Sequence, residues 1–163
     1  MSTPKEISFQ NLLATFDTAM LTTQTKAGAL RTRPMQVADI TGGCDVWFVS
    51  DVDSAKAFEI ASNPNVNLAF QGNRRYLSLS GRAKLVNDRQ RIHDLWNEAW
   101  KVWFPDGRDD PSLTLIRVEA SRGEYWDLSG TNSLSYWLDA GKAFFTGTRP
   151  EVDDPVHGKV ALR

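Results

Sequence analysis

The 163-residue sequence holds one cysteine, Cys44, and two histidines, His93 and His157. A single cysteine excludes an intrachain disulfide and a cysteine metal cluster, and two distant histidines give no His-rich ligand spacing, so no metal is expected. Charge of one sign is also missing: 19 basic residues against 20 acidic ones leave a net charge of −1 and a pI near 6.1. Without a basic patch there is no electrostatic footprint for DNA or RNA, and nucleic acid is not expected as a partner. No apolar run approaches the ~20 residues that span a bilayer. Met1-Ser2-Thr3-Pro4-Lys5-Glu6 has no apolar signal core, which predicts a cytoplasmic protein with no membrane partner. The acidic loop of Asp106, Asp109 and Asp110 lacks the alternating oxygen ligands of a calcium loop and reads as turn and cap chemistry.

What the chain does have is enough apolar residue, 41% against 24% charged, for one domain over residues 1–163, with 147–163 as an extended tail. Thr3-Pro4-Lys5-Glu6 is a capping box, and Phe9, Leu12, Leu13 and Phe16 follow at helical spacing. Ala19 to Thr23 reads as a strand, Lys26-Ala27-Gly28 as its turn and Arg31 to Val37 as a second strand. Val46 to Ser50 then reads as the hairpin partner of that second strand across Thr41 to Asp45. Asp53-Ser54 caps a short helix that ends before Asn63-Pro64. Asn65 to Phe70 and Tyr76 to Ser80 alternate with period two about Gln71-Gly72-Asn73-Arg74, the second continuing to Val86. A helix from Asp88 would carry Ile92, Leu95, Trp96, Trp100 and Trp103. Strands at Leu113 to Val118 and Gly123 to Trp126, a helix near Ser133 to Phe145 and a tail without periodicity complete the chain. Hairpin-linked short strands with small helices between them predict a mainly β fold, an antiparallel barrel rather than a parallel sheet.

Chemistry concentrates in Arg31-Thr32-Arg33-Pro34-Met35, Val49-Ser50 and Ser54-Ala55-Lys56. Two arginines, hydroxyls, a lysine and a helix start are what a phosphate needs. The plainer alternative is that arginine and lysine at such positions are solvated surface residues and that Ser54 is an N-cap whatever its ligand. The tryptophans at 96, 100 and 103 read as core or subunit interface, with stacking on a ligand as the minor alternative.

These stretches, with Glu59-Ile60, Asn63-Pro64-Asn65-Val66-Asn67-Leu68, Ser80-Gly81-Arg82-Ala83, Trp103-Phe104-Pro105-Asp106-Gly107 and Glu124-Tyr125-Trp126-Asp127, give the chain its resemblance. It resembles the FMN-binding split-barrel proteins related to pyridoxamine 5′-phosphate oxidase, in their general stress protein branch. The resemblance implies an antiparallel split barrel, a homodimer, and FMN, with FAD as an alternative, in the cleft between subunits. It places the flavin phosphate on Arg33, Ser50, Ser54 and Lys56, with Arg31 and Thr32 beside them. The ring would lie along Pro34, Met35, Gln36 and Val49, with Trp126 as a further aromatic neighbour. Two departures stand out: Ala55 occupies a position that is basic in the oxidases, and the tail offers His157 without an arginine two residues before it. Oxidation of pyridoxamine 5′-phosphate is therefore not expected, and no catalytic residue is assigned. A flavin-binding stress protein with little or no turnover is the first reading, a flavin-dependent oxidoreductase of an unidentified small molecule the second. Haem or deazaflavin binding suits the phosphate-binding set less well.

Overall fold

The computed structural model describes residues 2–130, 138 and 156–162; the helix expected from Ser133 to Phe145 lies, Leu138 apart, outside them. Helix α1, Pro4–Leu13, begins as its sequence dictates: the Thr3 hydroxyl accepts from the Glu6 amide and the Glu6 carboxylate from the Thr3 amide. Its buried face of Phe9, Leu12 and Leu13 enters the main core. The strands β1 (Thr18–Gln24), β2 (Leu30–Gln36), β3 (Asp39–Thr41) and β4 (Asp45–Asp51) precede helix α2 (Ala55–Ser62). After it come β5 (Asn65–Gly72), β6 (Arg75–Val86), helix α3 (Arg89–Leu95), β7 (Leu113–Asp127) and β8 (His157–Ala161).

All eight strands form one antiparallel sheet in the order β2-β1-β5-β6-β7-β4-β3, and β8 joins β7 beside β4. β7 is the organiser. Its first half, from Leu113 to Val118, pairs with β4, and its second half, from Arg122 to Trp126, pairs with β8. The register against β6 slips beside Ser80 and Gly81, where Gly81 is required: a Cβ there would stand 2.3 Å from the Glu119 carbonyl oxygen. The two strands expected in this region are thus one bent strand.

β4 is apolar without alternation because both of its faces are covered. Val46 and Phe48 point into the main core with Leu21, Leu68 and Leu79, while Trp47 and Val49 join Ile92, Trp100, Phe104, Leu113 and Leu115 on the outer side. The result is a mainly β half-barrel, an antiparallel sheet curled around its own core with α1, α2 and α3 packed on it.

Three further expectations need correction. Val46 to Ser50 does not pair with the Arg31 to Val37 strand. β2 pairs with β1 along its whole length, and the hairpin into β4 is made by the three-residue β3, too short to show a period of its own. The helix from Asp88 does not run through the tryptophans. It ends at Leu95, and Asn97, accepting from the Ala99 amide at 2.9 Å, caps a separate 3-10 turn at Glu98–Val102. The tail is not devoid of regular structure, since β8 forms once β7 offers it an edge.

Candidate functional site

The curl brings the ends of the sheet order together. A cleft of about 400 Å³ opens between β2 and β4, lined by Pro34, Met35 and Gln36 from one strand and Val49, Ser50 and Asp51 from the other. Lys56 of α2 lines it too, and Trp100, Trp103 and Phe104 supply an aromatic wall. Trp100 and Phe104 are buried in the outer cluster, whereas Trp103 is 68% exposed at the cleft rim. The tryptophan spacing read as core or interface therefore serves both as core and as site wall.

Ser50 and Ser54 lie with their hydroxyls 3.2 Å apart, and Ser54 both caps α2 through the Ala57 amide and donates to the Asp51 carbonyl at 2.7 Å. Lys56 sits in the first turn of α2, where the helix dipole disfavours a cation, and it is half-buried. Burial first, and the neighbouring Arg33 second, hold its ammonium below the ordinary lysine value; Asp51 opposes them.

On β2 the period-two alternation separates Arg31, Arg33 and Met35 from Thr32, Pro34 and Gln36. Both arginines converge on one carboxylate. Glu59 accepts from Arg31 Nη1 at 3.1 Å through Oε1, and from Arg33 Nη2 at 2.9 Å and the Thr23 hydroxyl at 2.5 Å through Oε2. Arg33 Nη1 donates to the same Thr23 hydroxyl. Glu59 is buried, Arg33 is 23% exposed and Arg31 60% exposed at the side chain. Thr32 turns away to share a 2.8 Å hydrogen bond with Thr22. Trp126 is not among the cleft residues: it lies opposite Tyr76 on β7 and stacks on His157 at 5.3 Å. The two histidines are engaged elsewhere, His157 with Glu124 and His93 with Asp109, each at 2.7 Å. Among the described residues no group of three or more His, Cys, Asp or Glu is placed to hold a metal ion.

The expected site residues Pro34, Met35, Gln36, Val49, Ser50 and Lys56 thus share one cleft; Ser54 and Arg33 are not among its lining residues, but Ser54 bonds to Ser50 and Arg33 lies near enough to Lys56 to lower its pKa. Glu59 and Thr23 were not foreseen as part of this set. The only signal was a glutamate on the buried face of a short amphipathic helix, one turn after Lys56.

Thr23, then Arg33 and Arg31, hold the Glu59 carboxyl below its usual value near 4.5, against the effect of burial. A carboxylate depressed in the folded state contributes stability that is complete above the unfolded pKa and is lost as pH falls through the folded one. Urea denaturation from about pH 6 to about pH 3 should show stability falling on the acid side, and Glu59→Gln should flatten that fall. Equal acid slopes in the two proteins would contradict this role for Glu59.

A curled antiparallel half-barrel of this kind is the fold of the FMN-binding split barrels. The chain belongs to the pyridoxamine 5′-phosphate oxidase-like family, whose sequence model matches residues 5–151. It is similar to protein bli-3 of Neurospora crassa, 30% identical over 139 residues, which are 78% of this chain and 66% of bli-3. It is also similar to General stress protein 26 of Bacillus subtilis, 30% identical over 82 residues, 47% of this chain and 58% of that protein. The chain therefore spans less than two thirds of either relative. Among solved structures, the general stress FMN/FAD binding protein of Xanthomonas citri superposes with a TM-score of 0.64 at 26% identity, covering 78% of this chain and 90% of that one.

Proposed function

We propose that this protein binds a flavin, FMN or alternatively FAD, in the β2–β4 cleft, and that it does so with little or no redox turnover of its own. The observation that carries the reading is the cleft's composition: a largely apolar and aromatic slot about 400 Å³ in volume whose polar wall is the half-buried Lys56 ammonium, the Ser50 hydroxyl, Gln36 and Asp51. A planar ring with an anionic tail suits that combination. Lys56, Ser50 and Ser54, with Arg33 behind them, would hold the phosphate, and Pro34, Met35, Gln36 and Val49 would face the ring. When bound, the flavin supplies two-electron redox chemistry; the chain supplies grip, orientation and an apolar wall that excludes water. The exposed Leu30, Phe58 and Trp103, and the position of β2 and β3 at the ends of the sheet order, support a homodimer with the cleft at its seam.

Fluorescence titration is the test. FMN should bind more tightly than riboflavin, and sedimentation should show a dimer. Equal affinity for the two ligands would remove the phosphate from the reading, and a monomer that binds FMN tightly would remove the seam.

Turnover of pyridoxamine 5′-phosphate is not expected, because among the described residues lining the cleft Lys56 is the one cation. A phosphorylated substrate beside a phosphorylated cofactor needs a second anion site. Hydrogen peroxide release by the flavin-loaded protein at about 1 per second or faster would overturn this.

A further inference from the structure

Arg33 faces two demands that conflict. It stands close enough to the Lys56 ammonium to lower its pKa, so the two cations repel, yet an anion at that end of the cleft needs both. A free arginine side chain would relieve the repulsion by swinging into solvent. Here it is tied at two points: Nη2 on Glu59 at 2.9 Å and Nη1 on the Thr23 hydroxyl, which itself donates to the same Glu59 oxygen. The second Glu59 oxygen accepts from Arg31, so both oxygens of the buried carboxylate are engaged. A guanidinium has five N–H donors, and these two contacts use two of them.

Glu59 does not line the cleft. Its charge is spent on the arginines rather than presented to whatever binds there. It also lies one helical turn after Lys56 on α2, so the helix that positions the ammonium carries the anchor for the guanidinium. A buried ion pair is weak evidence for stability, since an apolar replacement serves a core as well or better. Holding an arginine in place is a use that an apolar residue cannot supply, and a pre-ordered arginine loses less freedom when its ligand arrives.

We propose that Glu59 and Thr23 are positioning residues that fix Arg33 for an anionic phosphate at the Lys56 end of the cleft. The proposal rests on the anion-binding part of the reading above and deepens it by naming what orders the site.

The test compares Glu59→Gln, Thr23→Val and Thr23→Ser, each alone and with Arg33→Ala, by titration with FMN, riboflavin and inorganic phosphate, after thermal melts establish that each variant is folded. Thr23→Val keeps every charge, so it separates positioning from simple electrostatics. Glu59→Gln and Thr23→Val are each expected to weaken FMN by about tenfold or more, the scale of one charge-assisted hydrogen bond. Riboflavin affinity should stay within about twofold, Thr23→Ser should bind FMN like the parent, and neither substitution should add to the loss caused by Arg33→Ala. Tighter FMN binding by Glu59→Gln would overturn the proposal, because Glu59 would then compete with the phosphate for Arg33. Equal losses for FMN and riboflavin, or losses additive with Arg33→Ala, would overturn it as well. If the parent binds phosphate but no flavin, the flavin reading fails and the same comparison is read on phosphate. If it binds neither, both fail.

Discussion

Lys56→Met is expected to weaken FMN binding by about 1.5–3 kcal/mol, roughly 10- to 150-fold, while leaving the protein as stable as before or slightly more so. The first part follows from losing a charge-assisted donor to a phosphate. The second follows from the sign of the lysine's shift. Its pKa is lowered in the folded chain by burial and by Arg33, so the folded state disfavours the charged form, and removing the charge relieves that cost. Methionine keeps the apolar stem and fills the same space. The lowered pKa carries a further consequence. In the parent, FMN affinity should begin to fall on the alkaline side below the ordinary lysine value near 10.5, and that alkaline limb should vanish in Lys56→Met. Arg33→Ala is the less clean experiment, because it also takes from the buried Glu59 one of the two guanidiniums that compensate it. Fluorescence titration of both flavins across pH, with urea denaturation of each variant, checks every part. An unchanged FMN affinity in Lys56→Met would place the phosphate elsewhere.

The place of Lys56 in the first turn of α2 was legible in the sequence because its signal is local: a serine cap, a helix start and a basic residue within three positions. The same holds for α1, whose capping box is written in four residues, and for the β5–β6 hairpin, whose strands alternate on either side of a turn at Asn73 and Arg74, both with positive φ. What the sequence hid depends on non-local pairing. Nothing near Arg31 to Val37 says that β2 pairs back to β1 while β4 crosses to β7, sixty-odd positions along the chain. Nothing near His157 announces a strand until the second half of β7 is there to receive it. The tryptophan segment misleads for a different reason, since its spacing suits a helix while Asn97 caps a tighter turn. Glu59 was invisible as a site residue because its meaning lies in Arg31, Arg33 and Thr23, which reach it only across the β1–β2 hairpin.

The division of β7 into a half that pairs with the cleft strand β4 and a half that pairs with β8 under helix α1 predicts a substitution that damages the core without the cleft. Gly123 lies in the β8-paired half, opposite Leu79 on β6 and Val160 on β8. A Cβ there would stand 2.2 Å from Phe9 Cε2 and 2.4 Å from Phe9 Cζ. Phe9 has no room to give: it is fully buried and meets Tyr125 edge-on, with ring centroids 6.4 Å apart. Gly123→Ala is therefore expected to push Phe9 and its helix α1 away from the sheet, with a loss of about 3 kcal/mol, the upper part of the range for an overpacked core. Alanine's smaller conformational entropy cost in a strand, about 0.5–1 kcal/mol, offsets only a fraction of this. The clashing atoms are the far edge of the phenyl ring, so Phe9→Leu removes them. The double variant should be more stable than the sum of the two single losses by about 1–3 kcal/mol. FMN affinity of the folded fraction should stay unchanged throughout, since β4 pairs only with the Leu113 to Val118 half of β7. Urea denaturation of the four proteins closes the cycle. Strictly additive losses would show that the strand accommodates the methyl without touching the helix, and a parallel loss of FMN binding would show that the two halves of β7 are not independent.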